Sequence, residues 1–344
     1  MHHSWGSASG AQRMEHVQRR KFLIAVGVLL ATPCVSRAQQ PIKVARIGFL
    51  SLDLAGNPRG TDSFVLGLRE LGYVVGRNVV VEYRDAERRF ERFPALAAEL
   101  VALKVDVIVA PNVVACQAAK RVTRTIPIVF AGVADPVSDG LVVSLGRPGG
   151  NVTGLSNLSP ELVGKRLELL KEAVPGTNRV AILWQPGSGM ESTDRATLKG
   201  AEVAAQALSV QLRVIDARGP AELDHAFARI ASERANALLV LGTPMFFTER
   251  QRLVGLAATN KLPAIYSTRQ FVDAGGLMAY GASLDDLLRR SATYVVKLLN
   301  GAKASDLPVE QPTKFEFVVN AKTAKALGLT IPQSVLGRVD DIVQ

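Results

Sequence analysis

Three short apolar motifs recur in the same order in both halves of the 344-residue chain, and this repeat restricts the fold more than any other feature. Arg46-Ile47-Gly48-Phe49-Leu50 is echoed by Arg179-Val180-Ala181-Ile182-Leu183 at an offset of 133, and Pro111 by Pro244 at the same offset. Ile126-Pro127-Ile128-Val129-Phe130 returns as Leu262-Pro263-Ala264-Ile265-Tyr266 at an offset of 136. Between these motifs, β-branched runs alternate with amphipathic segments, the pattern of βαβ units. Strands are predicted at Val44–Leu50, Val79–Tyr83, Val105–Ala110 and Ile126–Phe130. Helical spacing of Phe64, Leu68 and Leu71, then of Phe93, Leu96, Leu100 and Leu103, places helices between them. The strand runs are continuously apolar, so both faces of each sheet should be covered. The fold class is therefore α/β, with two similar lobes, each a mostly parallel sheet flanked by helices. The glycine-rich stretch 146–154 is predicted to join the halves as a turn. It lacks the strand–glycine–helix spacing of a phosphate loop.

Residues 1–38 have the order of an export signal. Arg19-Arg20-Lys21 precede the apolar run Phe22–Ala31, and Ser36-Arg37-Ala38 offers small residues for cleavage after Ala38. The arginine pair also suits the twin-arginine route, so Sec and twin-arginine export both fit. Losing five basic residues and one acidic residue would leave 36 basic and 30 acidic residues, a net of +6. The cations alternate with acids, as in Lys165-Arg166-Leu167-Glu168, and read as solvated helix faces rather than a nucleic-acid footprint. Two cysteines exclude a disulfide scaffold, and four histidines, three of them before residue 17, leave little material for a metal site. Cys116 is read as a small core residue and His225 as a residue on an exposed helix face. No cofactor motif is present, and no Gly-x-Ser-x-Gly elbow or Cys–His pairing supports an enzyme.

Several motifs together resemble the ABC transporter substrate-binding proteins, whose relatives include receptors for tryptophan and other amino acids. They are Gly67-Leu68-Arg69-Glu70-Leu71-Gly72-Tyr73, Asp135-Pro136-Val137 after the fourth strand, Ser144 to Gly154, Lys165 to Lys171, Gly275 to Gly281, and the tail Phe315 to Pro332. The resemblance implies a periplasmic-binding-protein fold of type I in which the chain crosses between lobes three times. It places the crossings near Val152–Leu155, Gly275–Gly281 and Thr313–Val319. Lobe 1 is then expected over 44–152 plus 282–312, and lobe 2 over 153–281 plus 313–344. The implied partners are a small solute, an ABC permease and its ATPase, with the membrane reached only through the permease, no nucleic acid and no cofactor. The alternative is a periplasmic ligand-sensing subunit of a signalling system.

Open parallel sheets bind ligands beyond the carboxyl ends of their strands. In lobe 1 this rule selects Ser51, Leu52, Asn112 and Ala134 with Asp135; in lobe 2 it selects Trp184, Gln185, Thr243 to Phe246, and Tyr266 to Thr268. Ser51, Asn112, Gln185 and Thr243 can hydrogen-bond a carboxylate or amide, and Asp135 can pair with an amino group. Trp184, Phe246 and Tyr266 can close over an apolar or aromatic body. Asp135, Asn112 and the three aromatics also have structural readings, as a turn cap, a helix cap and interlobe packing.

Overall fold

The structure, a computed structural model, describes residues 44–188 and 190–344, so the expected export signal lies outside the described residues. The first half runs β1 (Ala45–Ser51), α1 (Pro58–Glu70), β2 (Val79–Asp85), α2 (Phe93–Ala102), β3 (Val107–Val109), α3 (Val113–Val122), β4 (Ile128–Val133) and β5 (Val152–Ser156). Its sheet has the order β2-β1-β3-β4-β5, all parallel.

The second half contributes α4 (Val163–Ala173), β6 (Arg179–Trp184), α5 (Glu191–Ala207), β7 (Gln211–Asp216), α6 (Leu223–Ser232), β8 (Ala237–Val240), α7 (Pro244–Thr248), α8 (Arg250–Thr259), β9 (Ala264–Tyr266), α9 (Arg269–Asp273) and β10 (Met278–Ala282). Then α10 (Leu284–Leu299) returns to the first lobe, and β11 (Phe315–Asn320), α11 (Ala321–Ala326), α12 (Gln333–Leu336) and β12 (Asp341–Val343) complete the second. The second sheet reads β7-β6-β8-β9-β10-β11-β12, so its first five strands repeat the order of the first sheet. Only β11 runs antiparallel to its neighbour β10.

Strand pairing gives the repeat its true register. Ile47 pairs with Val107 as Val180 pairs with Ala237, and Ile108 with Ile128 as Leu238 with Ala264. The offsets of 133 and 136 seen in the sequence therefore join equivalent strands. The two prolines are not equivalent. Pro111 precedes the N-cap Asn112 of α3, whereas Pro244 follows the N-cap Thr243 as the first residue of α7.

Each sheet is covered on both faces. In lobe 1, Ile47, Phe49, Val109 and Val129 pack under α1 and α10, while Leu50, Ile108 and Phe130 pack under α2 and α3. In lobe 2, Leu183, Leu238 and Tyr266 face α6, α8 and α9, while Ile182, Leu239 and Ile265 face α4 and α5. Glycine in α1 sets how closely α10 can approach, since a Cβ at Gly67 would lie 2.2 Å from the Arg289 carbonyl oxygen.

The expected lobe boundaries shift. Strand β5 is bonded along its length to β4, so the first sheet extends through Ser156 rather than ending at Val152. The crossings follow at Ser156–Asn157, at Ala282–Ser283 and between Glu310 and Lys314. They are tied together: the Ser156 N–H donates to Glu310 O at 2.9 Å, and the Glu310 N–H to Gly154 O at 3.0 Å. Gly275 and Gly276 do not sit at a crossing. They precede β10 at its far end, where the Thr323 hydroxyl donates to Gly275 O and a Cβ at Gly276 would lie 2.7 Å from the Tyr266 ring. Stretch 146–151 turns within lobe 1 and leads into β5, and Gly149 adopts φ +80 there. Among the described residues no helix is long and apolar enough to cross a membrane.

Candidate functional site

Between the lobes lies a cavity of about 160 Å³ lined from both sides. Its lobe 1 wall comes from the ends of three adjacent strands. Ser51 and Leu52 end β1, Asn112 follows β3, and Ala131 to Ala134 close β4. The Ser51 hydroxyl accepts the Asp53 N–H at 3.2 Å, which fixes the first loop. Asn112 caps α3 by accepting the Ala115 N–H on Oδ1 at 2.9 Å. Its amide nitrogen has no protein acceptor among the described residues, so one side chain caps a helix and keeps donors for the cleft. Phe49 and, from α10, Leu284 and Leu288 supply apolar surface.

The lobe 2 wall is built differently. Thr243 caps α7 by accepting the Phe246 N–H at 3.2 Å and lines the cavity with Gly242, Phe247, Ser267, Thr268 and Phe271. The Thr268 hydroxyl is buried there without a protein partner among the described residues. Among the described residues the only cation in the lining is Arg166 of α4, which is 1% exposed. Its Nε donates to Tyr280 O at 2.7 Å, and its Nη1 donates to Ser159 O at 3.0 Å and Ser159 Oγ at 3.1 Å. Burial pushes its pKa down to about 10, which still leaves the guanidinium charged at neutral pH. No carboxylate lies within 4 Å of it among the described residues. Asp53, the only acidic lining residue among the described residues, accepts the Gly56 N–H at 2.8 Å, and its charge interacts with the Arg250 guanidinium of lobe 2.

Contacts across the mouth hold the lobes together. Arg88 donates to Thr248 O at 2.6 Å and pairs with Glu249 at 2.7 Å, and Arg59 pairs with Asp273 at 3.1 Å. Arg250 donates to Gly56 O. On another side the Thr193 hydroxyl donates to Asp139 Oδ1 at 2.8 Å. Burial pushes the Asp139 carboxyl up to about 6; the Thr193 bond opposes this, while Asp135, Asp194 and Glu191 add repulsion.

Of the strand-end residues selected from sequence, Ser51, Leu52, Asn112, Ala134, Thr243, Pro244, Ser267 and Thr268 line the cavity together. Asp135, Trp184, Gln185, Met245, Phe246 and Tyr266 lie outside its lining. Asp135 caps a turn by accepting the Val137 and Ser138 N–H groups at 3.2 and 3.0 Å. Phe246 and Tyr266 are buried in the lobe 2 core, where Tyr266 stacks on Phe271 with ring centroids 4.6 Å apart and burial raises its phenol pKa. Trp184 packs half-buried against the opposite core of that lobe, and Gln185 donates to Arg218 O at 3.3 Å. The residue sequence reasoning missed is Arg166. Its neighbours Lys165 and Glu168 do form a surface pair at 2.5 Å, as the solvated-face reading of that run expects. Arg166 itself is buried, and a signal for this exists: with Val163, Leu167 and Leu170 it occupies the apolar face of α4. Cys116 is buried in the lobe 1 core, where burial pushes its thiol up to about 12, and His225 is exposed on α6.

Comparison with known proteins bears on this geometry. A family model described as ABC transporter substrate binding protein matches residues 55–343. A tyrosine-binding protein of Clostridioides difficile (strain R20291) is 27% identical over 272 residues, covering 77% of this chain and 75% of that protein. The structure of an ABC domain in complex with L-Trp from Streptococcus pneumonia superposes with a TM-score of 0.80 at 25% identity, over 87% of this chain and 99% of that one. The ligand-free, open structure of a substrate binding protein with adhesive properties from Clostridium difficile gives 0.66, also at 25% identity, over 88% of this chain and 100% of that one. The fold is that of the type I periplasmic binding proteins.

Proposed function

Because the chain belongs to the ABC transporter substrate-binding protein family, we propose that it is the exported receptor of an ABC uptake system and that its solute is an aromatic amino acid. The observation that carries this reading is the make-up of the interlobe cavity. Phe49, Leu52, Phe247, Phe271 and Leu288 offer an apolar and aromatic enclosure, while Asn112, Thr243, Thr268 and Arg166 converge polar groups on it. Such a lining suits a solute with an aromatic body and a charged head. The tyrosine-binding relative and the L-Trp-bound structure support the same class.

Binding is a change of population. A solute that touches both walls favours the closed form over the open one, and the closed form is what a permease in the membrane can distinguish. The export signal read over residues 1–38 supports a periplasmic setting for this step, with a mature chain beginning near Gln39.

A thermal-shift screen of the purified protein against amino acids, sugars and nucleosides tests the reading. A ligand at about 100 times its dissociation constant adds about 2.7 kcal/mol, so L-tyrosine or L-tryptophan should raise the melting temperature by several degrees. A response to sugars or nucleosides alone would overturn it. N-terminal sequencing of periplasmic material tests maturation, where a first residue well away from Gln39 would count against the export route.

A further inference from the structure

We propose that Arg166 is the carboxylate anchor of this site and that the same guanidinium couples the bound anion to the hinge. The inference rests on the receptor reading above for the class of anion. Its structural basis is independent of that reading.

A guanidinium that is 1% exposed must recover its lost hydration from hydrogen bonds and opposite charge. Nε and Nη1 are satisfied by Tyr280 O, Ser159 O and Ser159 Oγ, all uncharged acceptors. Nη2 has no acceptor among the described residues. The one carboxylate in the lining, Asp53, is engaged by the Gly56 N–H and by the charge of Arg250. A full positive charge with free donors therefore lies against the cavity, in surroundings where a charge-assisted hydrogen bond is strong. Backbone rather than side chain closes the space beside Nη2. A Cβ at Gly281 would lie 2.0 Å from Ser267 O and 3.4 Å from Nη2, so this position holds only glycine.

The bonds to Ser159 and Tyr280 explain the coupling. Ser159 lies three residues beyond the first crossing, at Ser156, and Tyr280 lies two residues before the second, at Ala282. One side chain thus ties together the segments that must rotate when the lobes open. An anion on Nη2 fixes the plane of the guanidinium and, through Nε and Nη1, the spacing of both segments. Arg166 recognises the solute and positions the hinge.

Calorimetry on the wild-type protein with L-tyrosine, L-tryptophan, tyramine, tryptamine and indolepropionate separates the possibilities. Tyramine and tryptamine, which lack the carboxylate, should bind at least about 30-fold more weakly than the parent amino acids. Indolepropionate, which lacks only the ammonium group, should bind more tightly than tryptamine. Arg166→Lys keeps a charge without the planar fork and should narrow the carboxylate-to-amine selectivity at least about tenfold. An amine penalty under about 30-fold in the wild-type protein overturns the anchor, and that result does not depend on whether the variant folds. If none of these solutes binds, the aromatic ligand class fails and the anchor is tested alone by anomalous diffraction from crystals soaked in bromide. Bromide at hydrogen-bond distance from Nη2 supports it, and bromide only on the outer surface overturns it.

Discussion

The two lobes share a strand order but divide the work of the site differently. In lobe 1 the loops after β1, β3 and β4 bring Ser51, Leu52, Asn112 and Ala134 to the cavity. In lobe 2 the ends of β8 and β9 bring Thr243 and Thr268 to it, whereas at the end of β6 Trp184 and Gln185 turn elsewhere. The difference follows from chain exchange. The last strand of each five-strand set crosses over and opens a helix in the other lobe, β5 leading to α4 and β10 to α10. Helix α10 brings Leu284 and Leu288 to the cleft, whereas α4 brings Arg166. A duplicated fold has therefore acquired different cleft side chains, leucines on one side and an arginine on the other, at the helices that follow the crossings.

The largest expected effect tests the crossing strand on the lobe 1 side. Gly154 of β5 has φ +152, and a Cβ there would lie 2.1 Å from Phe130 O, so no local adjustment admits it. Gly154→Ala should cost about 3 kcal/mol or more in urea unfolding. A loss under about 1 kcal/mol would show that β5 can detach from β4. In lobe 2 the corresponding test is the pair Gly275 and Gly276. Valine at both should destabilise by about 1–3 kcal/mol through the Tyr266 and Phe271 packing. Small-angle scattering should show that ligand-induced closure survives. Loss of closure without loss of stability would restore these glycines as a hinge.

Removing the two helix caps probes the walls on equal terms. Asn112→Ala and Thr243→Ala each delete one cap bond, to the Ala115 and Phe246 N–H groups, and each should lower stability by about 1 kcal/mol. Both should also weaken solute binding. An affinity loss confined to one variant would mean that only one lobe uses its cap in recognition.

The Asp139–Thr193 contact between lobes should respond to pH. Burial holds the Asp139 carboxyl at about 6 in the folded protein, above its ordinary value, so the folded form binds this proton more tightly than the unfolded chain. Stability should therefore fall as pH rises from about 4 to about 6 and level off above. Asp139→Asn should flatten that dependence by about 1 kcal/mol after allowance for solvent screening, and an unchanged pH profile would remove Asp139 as its source.

The smallest effect concerns Trp184. Because this indole packs against the lobe 2 core and does not line the cavity, a ligand confirmed by calorimetry should leave the Trp184 emission nearly unchanged. The signal is isolated as the difference from the Trp184→Phe protein. A large saturable change would place β6 at the site after all.

Much of the architecture was legible in the chain because it depends on local composition. Continuous apolar runs such as Ile47–Leu50 and Val180–Leu183 had to be buried on both faces, and the offsets between them carried the duplication. Asn112 and Thr243 were legible because a strand end followed by a helix start is a local event with its own residue preferences. Other features were set only by packing between distant segments. Which aromatic at a strand end faces the cleft depends on which helices cover that end, and so Phe246 and Tyr266 fell to the core. Gly275-Gly276 and Gly281 belong to one motif, yet only the sheet pairing shows which end of β10 meets the crossing. Arg166 is the clearest division. Sequence read it as part of a solvated helix face although its spacing with Val163, Leu167 and Leu170 follows the apolar one, and whether a charge there finds solvent, a carboxylate or a cavity is decided by Ser159, Tyr280 and Gly281, since residues up to 115 positions away come together only when the sheet forms.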